Sequence, residues 1–374
     1  MRRNGAVLMM AAVLLLAVIV GGIIGIRDSG READPFNPAN FVQRQALPFA
    51  ADTPHGQLSV HYIEVINDTL YDRAPFSYQE MHAARWIVEE LLAMGFAWDE
   101  IKVQEFAYED VREFWDLPLM DVIFWVDQSP FLDWGTRSSR LSQNVILTLP
   151  GQSDKKMVVG AHYDGVFYPG ASDNASGMAL LLESAQRMRD IEHYYTIVYV
   201  FFGAEEAGLY GAYYYAHSLT QEEHDTILFM VNADVLLEGP DLFYMAGYDA
   251  GDVAGANHIT ETWDQIAQDL DARHGITLTP LPEGVFGPSD QLAFLPWGHT
   301  AMFLVGLEKV EGWYEEAFEI ALMNMARVLH SPRDDFHYIN ERWPGKIEAN
   351  MHGFSLFLEE LLLATYDVDS GGAE

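Results

Sequence analysis

The chain has 374 residues, 49% of them hydrophobic and 13% aromatic, so it can bury a large core and does not have the composition of a disordered protein. Its 56 acidic residues against 21 basic ones give a net charge of −35, which leaves no basic stripe for phosphates and argues against nucleic-acid binding. Cysteine is absent, which excludes disulfides and thiolate metal sites, so any bound metal must use histidine and carboxylate ligands.

The N-terminus predicts a membrane anchor. Arg2 and Arg3 precede an uncharged run of 21 residues at 6–26, and about 20 residues are enough to span the hydrocarbon core. A cleaved signal peptide is one alternative, although its apolar core usually has about 7–15 residues; a buried helix is another. Basic residues before the run favour an N-in orientation. We therefore expect a single-pass anchor at 1–28 in the cell membrane and an extracytoplasmic globular domain, or a secreted one if the segment is cleaved.

The next part of the chain predicts a tether and the start of one domain. Polar residues with glycine and proline suit a tether at 29–40, followed by a domain at 41–366 and a tail at 367–374. Ser77 is the predicted N-cap of a helix that Gly95 closes. Strands are predicted at 101–106, 120–126 and 143–149, and the segment 127–141 reads as irregular.

From residue 157 the sequence alternates between strand and helix patterns. The predicted strands are 157–161, 196–202, 227–231 and 301–305. The predicted helices are 175–189, one that includes Leu209, Ala212 and Tyr213, and others at 257–273, 317–329 and 346–363. This alternation predicts a single three-layer α/β domain, with a mixed, mostly parallel sheet between helices.

Potential metal ligands recur at the ends of these strands, where open α/β sheets place their ligand sites. His162 and Asp164 follow the first strand, and residues two apart in an extended segment share a face. One imidazole nitrogen could then take a metal while the other donates to Asp164. Asp173 lies just before a predicted helix, where aspartate is a favoured N-cap. Its small neighbours would also permit the close backbone approach that a metal-binding carboxylate requires.

Three further positions complete the set of candidate ligands. Glu205 and Glu206 follow the second strand, and burying two adjacent carboxylates requires counter-charge such as metal ions; otherwise both face solvent at a helix start. Asp234 follows the third strand as a ligand or a turn residue. His330 lies two residues before Pro332, which favours an extended backbone that could present the histidine to a metal; alternatively, His330 is only the last residue of a helix.

Five ordered motifs in this region resemble those of the M28 zinc aminopeptidases. They are VGAHYD at 159–164, GASDNASG at 170–177, FGAEEAGLYG at 202–211, NAD at 232–234 and HSPRD at 330–334. The resemblance is close over residues 157–336 and looser over 77–156. One departure lies in Ser289-Asp290-Gln291, where the family often has histidine in place of Gln291.

The resemblance implies a di-zinc metallopeptidase that acts on peptides, with an aminopeptidase as the leading expectation. Two Zn²⁺ ions per chain would share Asp173, with His162 and Asp234 on one ion and Glu206 and His330 on the other. The two remaining residues would be Glu205 as the general base and Asp164 as the partner of His162.

Three alternatives remain open at this stage. A carboxypeptidase differs only in the substrate end that it holds, and a glutaminyl-cyclase-like enzyme typically keeps one metal. A non-catalytic membrane scaffold of the same fold would be expected to have lost ligands, and here every ligand position is retained.

Overall fold

The computed structural model describes residues 34–41, 44–112, 141–166, 168–248, 256–281, 289–309 and 328–366. The chain divides into two compact units, 1–42 and 43–374. In the described part of the first unit, a 3-10 turn at Pro38–Asn40 is capped by Asn37, whose side chain accepts the N–H of Ala39. All the elements below belong to the second unit.

A mixed sheet of eight strands runs through the described part of the second unit. The order across the sheet is β1-β2-β4-β3-β5-β8-β6-β7. Parallel pairing joins β4, β3, β5 and β8 as a central block, and also joins β6 to β7; the β1–β2, β2–β4 and β6–β8 pairs are antiparallel. The strands are β1 Ile101–Ala107, β2 Leu141–Leu149, β3 Ser153–His162, β4 Tyr195–Phe202, β5 Ile227–Ala233, β6 Asp241–Tyr248, β7 Leu278–Pro280 and β8 Thr300–Leu307.

Helices pack against this sheet and against one another. They are α1 Gln57–Thr69, α2 Tyr78–Ala93, α3 Tyr108–Arg112, α4 Ser176–Met188, α5 Tyr210–Ser218, α6 Gln221–His224, α7 Ala256–His274, α8 Phe336–Arg342 and α9 Lys346–Leu363. The capping chemistry of α2 is as the sequence predicts, because the Ser77 side chain accepts the N–H of Glu80.

The centre of the sheet is covered on both faces. Every residue of β4, β5 and β8 is buried, which explains why these strands have continuous apolar runs instead of alternating ones. Helix α4 is also buried along its whole length. This rigid centre carries the ends of β3, β4 and β5, at which the candidate ligands lie.

The predicted mixed α/β architecture is confirmed. Several predictions of individual segments concern residues outside the described part of the chain. These are the anchor at 6–26, the strand at 120–126 with the irregular 127–141 (apart from residue 141), most of the helix at 317–329, and the tail. No helix among the described residues is long and apolar enough to cross a membrane. Sequence reasoning did not identify α1, β6 or β7.

Candidate metal centre

The candidate ligands meet at one edge of the sheet. His162 is the last residue of β3, Asp234 follows the last residue of β5, and Glu205 and Glu206 lie just beyond the end of β4. Because β4, β3 and β5 are neighbouring parallel strands, their carboxyl ends lie side by side. Asp173 comes from the turn before α4, and His330 from the segment before α8.

Asp173 lies at the middle of this group, with its two carboxylate oxygens directed to different histidines. Its Oδ1 is 3.1 Å from His162 Nε2, and its Oδ2 is 3.0 Å from His330 Nε2. His162 Nε2 is also 3.2 Å from Asp234 Oδ1, and His330 Nε2 is 3.1 Å from Glu206 Oε2. The five side chains therefore form two groups of three that share Asp173.

Glu205 lies beside these two groups. One of its carboxylate oxygens is within 4.8 Å of ligand atoms of both His162 and Glu206. Unlike the buried Glu206, Glu205 keeps partial solvent access. A carboxylate in this place can reach a group bound between the two clusters and can also exchange protons with water.

Burial and close carboxylates determine the electrostatics of the site. Burial raises the pKa of Glu205 well above its usual value, with Glu206 and Asp290 adding to the effect and His162 opposing it. Burial and the nearby Asp173 carboxylate raise the pKa of Glu206 to about 7. Burial would lower the pKa of His162, but the carboxylates of Asp234 and Glu205 bring it well above its ordinary value. Negative charge is thus concentrated here, as a cation site requires.

Two buried carboxylates hold the turn that carries Glu205 and Glu206. Asp164 accepts the backbone N–H of Glu205 at 2.9 Å and that of Glu206 at 3.1 Å. Glu80 accepts the N–H of Ala204 at 2.8 Å. Ala204 has φ 54°, a left-handed conformation that costs about 1–3 kcal/mol for a non-glycine residue and persists only where its surroundings enforce it. These bonds fix where both glutamates point.

The turn that carries Asp173 is held from three sides. Asp334 accepts the N–H of Ser172 at 2.6 Å and that of Asp173 at 3.0 Å through its carboxylate. The Asn174 side chain donates to the carbonyl of Ala233 at 2.9 Å and accepts the N–H of Gly177 at 2.8 Å, so it caps α4 and ties it to the end of β5. The Asp173–Asn174 peptide bond is cis.

Asp234 is oriented by a polar network from β5 and the segment after residue 288. The Ser289 hydroxyl donates to Asp234 Oδ2 at 2.8 Å, and the Asn232 amide donates to Ser289 Oγ and to Gln291 Oε1, each at 2.8 Å. Gln291, which departs from the family pattern, therefore takes part in this network through Asn232 and does not lie among the ligand atoms.

The structure brings the predicted candidate ligands together, and it also reveals supporting residues that were not predicted from the sequence. Glu80 was detectable as the third residue after the Ser77 N-cap, the spacing of a capping box. Ser289 and Asp334 lay within noted motifs but had no assigned role. Arg73 lies in no motif, and its supporting role is indicated only by its burial in the structure.

The donor set fits zinc. Ligand atoms about 2.0–2.1 Å from a tetrahedral zinc lie about 3.3 Å apart, and the four nitrogen–oxygen distances here are 3.0–3.2 Å. Glu206 Oε1 and His162 Nδ1 are buried without a hydrogen-bond partner in the described part of the chain. His162 Nδ1 lies 3.5 Å from Asp164 Oδ1, within reach of the outer carboxylate that commonly orients a metal-binding imidazole.

Comparisons with known proteins agree with this geometry. The sequence profile of peptidase family M28 matches residues 144–355, more than half of the chain. The chain belongs to this family. Over 215 residues it is 29% identical to aminopeptidase YwaD of Bacillus subtilis, a match that covers 54% of this chain and 42% of that protein.

Solved structures share the fold at low identity. A zinc aminopeptidase from Bacillus subtilis superimposes with a TM-score of 0.59 at 17% identity, over 84% of this chain and 96% of the other. A glutaminyl cyclase from an Acidobacteriales bacterium gives 0.56 at 17% identity, over 85% and 98%. The matched segments span half or less of the length of the curated relatives named as aminopeptidases.

Proposed function

We propose that the protein is a di-zinc aminopeptidase that releases residues from the N-terminus of peptides. The observation that carries this proposal is the pair of Asp173 oxygens, which face His162 and His330 separately. Such a carboxylate suits a bridge between two metal ions, with His162 and Asp234 on one ion and Glu206 and His330 on the other. Membership of the family and the names of the relatives support the activity.

The chain's own residues supply the proton transfer. Glu205 is the general base: its carboxylate takes a proton from the attacking water and returns it to the leaving amine. When bound, two zinc ions would polarise the scissile carbonyl and acidify the attacking water. Asp164 and Glu80 keep the base in place.

A glutaminyl cyclase is the second candidate, because the structure of such an enzyme superimposes on this chain with a TM-score of 0.56, close to the 0.59 of the zinc aminopeptidase. Such enzymes typically keep one metal, whereas here two groups of ligands share Asp173. The number of zinc ions bound per chain therefore separates the two candidates. A carboxypeptidase would share the metal centre and would differ in the free terminus that it requires.

The test is a panel of substrates given to the purified chain. Aminoacyl-chromophore amides should be cleaved, their N-acetylated counterparts should resist, and a zinc chelator should abolish the cleavage. Elemental analysis should find two zinc ions per chain. Cleavage of C-terminally free but N-blocked dipeptides would indicate a carboxypeptidase, and cyclisation of N-terminal glutamine with one zinc would indicate a cyclase.

We also propose that residues 6–26 anchor the catalytic domain outside the cytoplasm. The support is the length of the apolar run and the arginines before it. Protease added to intact cells should digest the domain while the N-terminal residues stay protected. A soluble form that begins after the apolar run would instead indicate a cleaved signal peptide.

A further inference from the structure

Arg73 is a buried cation beside the metal centre, and it lies outside the segment that the family profile matches. Only 1% of its surface is exposed. It follows α1 in a short loop before α2, in a region where the sequence offers no catalytic motif. Burying a charge is costly, so its contacts should explain why it is there.

The contacts of Arg73 converge on the connector, the segment between His162 and Asp173, of which the structure describes residues 163–166 and 168–172. Its Nε donates to the carbonyl of Tyr163 at 2.8 Å, and its guanidinium also donates to the carbonyls of Pro169 at 2.9 Å and Gly170 at 3.4 Å. Its own carbonyl accepts the N–H of Gly165 at 3.1 Å. Arg73 thus binds the connector near both of its ends and once within it.

The connector ends at two candidate zinc ligands. His162 lies directly before Tyr163, and Asp173 lies three residues beyond Gly170. Gly170 is held on both sides, because its carbonyl accepts from Arg73 while its N–H donates to the carbonyl of Asp334 at 3.1 Å. Gly170 has φ 61°, and a Cβ there would lie 2.3 Å from the carbonyl oxygen of Asp173 and 3.0 Å from the guanidinium. The absence of a side chain at Gly170 therefore lets the connector approach both Asp173 and the arginine closely.

In the described part of the chain, the guanidinium is hydrogen-bonded to main-chain carbonyls and not to a carboxylate. Besides the three carbonyls of the connector, it donates to the carbonyl of Leu70 at 2.9 Å. The carboxylates of Asp334, Asp164 and Asp173 act on it at longer range. A planar guanidinium with several fixed donors can bond to four separate carbonyls, which a lysine ammonium on a flexible stem does much less well.

We propose that Arg73 is a positioning residue of the metal centre, which sets the distance between His162 and Asp173 by fixing the connector. This inference rests on the proposed zinc centre. Loss of outer partners of metal ligands typically weakens metal affinity by about 10–100-fold. Removing a nearby positive charge has the opposite effect, because it reduces repulsion of Zn²⁺. A weaker affinity after loss of Arg73 therefore identifies positioning, whereas a stronger one identifies charge alone.

The experiment measures zinc affinity of the full chain by competition with a chromophoric chelator. Arg73→Met should weaken binding by about tenfold or more. Arg73→Lys keeps the charge but not the fork, so it should also bind zinc more weakly than the unmodified chain, and it decides the question if Arg73→Met does not fold.

Arg187→Met is the matched control. Arg187 is another buried arginine that donates to two main-chain carbonyls, those of Thr53 at 3.0 Å and Pro54 at 2.7 Å, and it differs from Arg73 in also pairing with Glu183 at 2.8 Å. It lies eleven residues into α4, about 16 Å along the helix from the end near Asp173. Its loss should lower thermal stability and leave zinc affinity within about twofold of the unmodified chain.

The outcomes separate this inference from the proposed function. If the unmodified chain binds no zinc, the proposed function fails. If it binds zinc and both Arg73 variants bind equally well or more tightly, only the positioning role is wrong. Equal weakening by Arg187→Met would also overturn it, because the effect would then follow general loss of stability.

Discussion

At the scale of single residues, Asp164 shows how one carboxylate can support several others. The sequence pairs it with His162, and in the structure its oxygen lies 3.5 Å from His162 Nδ1. Its shorter contacts are to the backbone N–H groups of Glu205 and Glu206. Asp164 thus couples the end of β3 to the turn after β4.

Replacing Asp164 with asparagine tests that coupling. Each carboxylate oxygen of Asp164 accepts one backbone N–H, whereas the asparagine amide has one accepting oxygen and an NH₂ group that cannot accept, so at least one of the two backbone hydrogen bonds must break. We expect zinc affinity to fall by about 10–100-fold, the usual effect of disturbing the partners of metal ligands. Chelator competition measures it, and an unchanged affinity would mean that Asp164 does not position the ligands.

Glu205→Gln and Glu206→Gln should separate the base from the ligand. If Glu205 is the base, Glu205→Gln should keep both zinc ions and lower turnover by about 10²–10⁴-fold, because only the proton acceptor is lost. Glu206→Gln should weaken zinc binding at the site of His330, which its carboxylate contacts at 3.1 Å. Parallel zinc analysis and kinetics decide between them. Loss of zinc from both variants alike would contradict this division of roles.

At the scale of elements, the sequence predicted well those parts whose signal is local. The central strands were visible because both faces are buried, which leaves uninterrupted apolar runs in β4 and β5. Ser77 was visible as a cap. By contrast, β7 has only three residues, and β6 depends on pairing with β8 more than on its own pattern.

The supporting contacts of the site were harder to predict, because they join residues far apart in the chain. Glu80 reaches Ala204, and Arg73 reaches the connector before Asp173; neither pairing leaves a periodic pattern. The candidate ligands could be predicted to lie close together because each follows a recognisable strand or lies in a motif. The number and arrangement of their hydrogen bonds could not.

Gly177→Ala should disturb the junction between α4 and β5. A Cβ at this position would lie 2.2 Å from the carbonyl oxygen of Ala233 and 2.5 Å from Asn174 Oδ1, so the helix start must move. Overpacking of this kind typically costs about 1–3 kcal/mol. Because Asp173 and Asp234 flank the junction, zinc affinity should fall together with the free energy of unfolding, as measured by chelator competition and urea unfolding.

Gly353→Ala in α9 is the matched control for that variant. Its Cβ would meet the flexible side chain of Leu242 at 2.4 Å, which can move aside, and not a main-chain oxygen. The cost should be smaller, with zinc affinity unchanged. Equal effects on zinc binding from both glycines would show that the α4–β5 junction has no special importance for the centre.

The contact between α6 and the start of β8 should make stability depend on pH. His224 Nδ1 lies 2.8 Å from His299 Nε2, and His224 Nε2 lies 3.0 Å from the carbonyl of Ala216. Burial lowers the pKa of both histidines, that of His299 to about 4, with His224 adding to the effect. Trp297 stacks on His224, His217 packs against Trp297, and Glu223 and Asp225 act on His224 as nearby charges.

The sign of this dependence follows from the lowered pKa values. Above pH 6.5 the histidines are neutral in both the folded and the unfolded chain, and the contact contributes fully to the free energy of unfolding. As the pH falls from 6.5 towards 4, the histidines are protonated in the unfolded chain and stay neutral in the folded one. The free energy of unfolding should fall by up to about 3 kcal/mol over this window. Urea unfolding at several pH values measures it, and His299→Gln should flatten the curve. An equally steep curve in the variant would contradict the assignment.

At the scale of the whole molecule, the net charge of −35 is concentrated in part at the metal centre. Asp173, Glu205, Glu206 and Asp234 meet there around two histidines, and their carboxylates lie close enough to one another to favour a bound cation. Zinc should therefore stabilise the folded state strongly. Ligand linkage gives about 2.7 kcal/mol per site at a zinc concentration 100 times the dissociation constant.

Removal of zinc with a chelator should lower the melting temperature, and added zinc should restore it. Calorimetry on the two forms measures the difference, and Asp173→Ala provides the control, because loss of the shared carboxylate should remove most of the response. A melting temperature that is the same with zinc and with chelator would mean that the centre does not bind the metal under those conditions.

The distribution of the ligands along the chain has a consequence for biogenesis. His162 and His330 are about 170 residues apart, and the strands between them must pair before the two can meet. We therefore expect the complete centre to assemble only after the sheet has formed, with zinc bound by the folded chain.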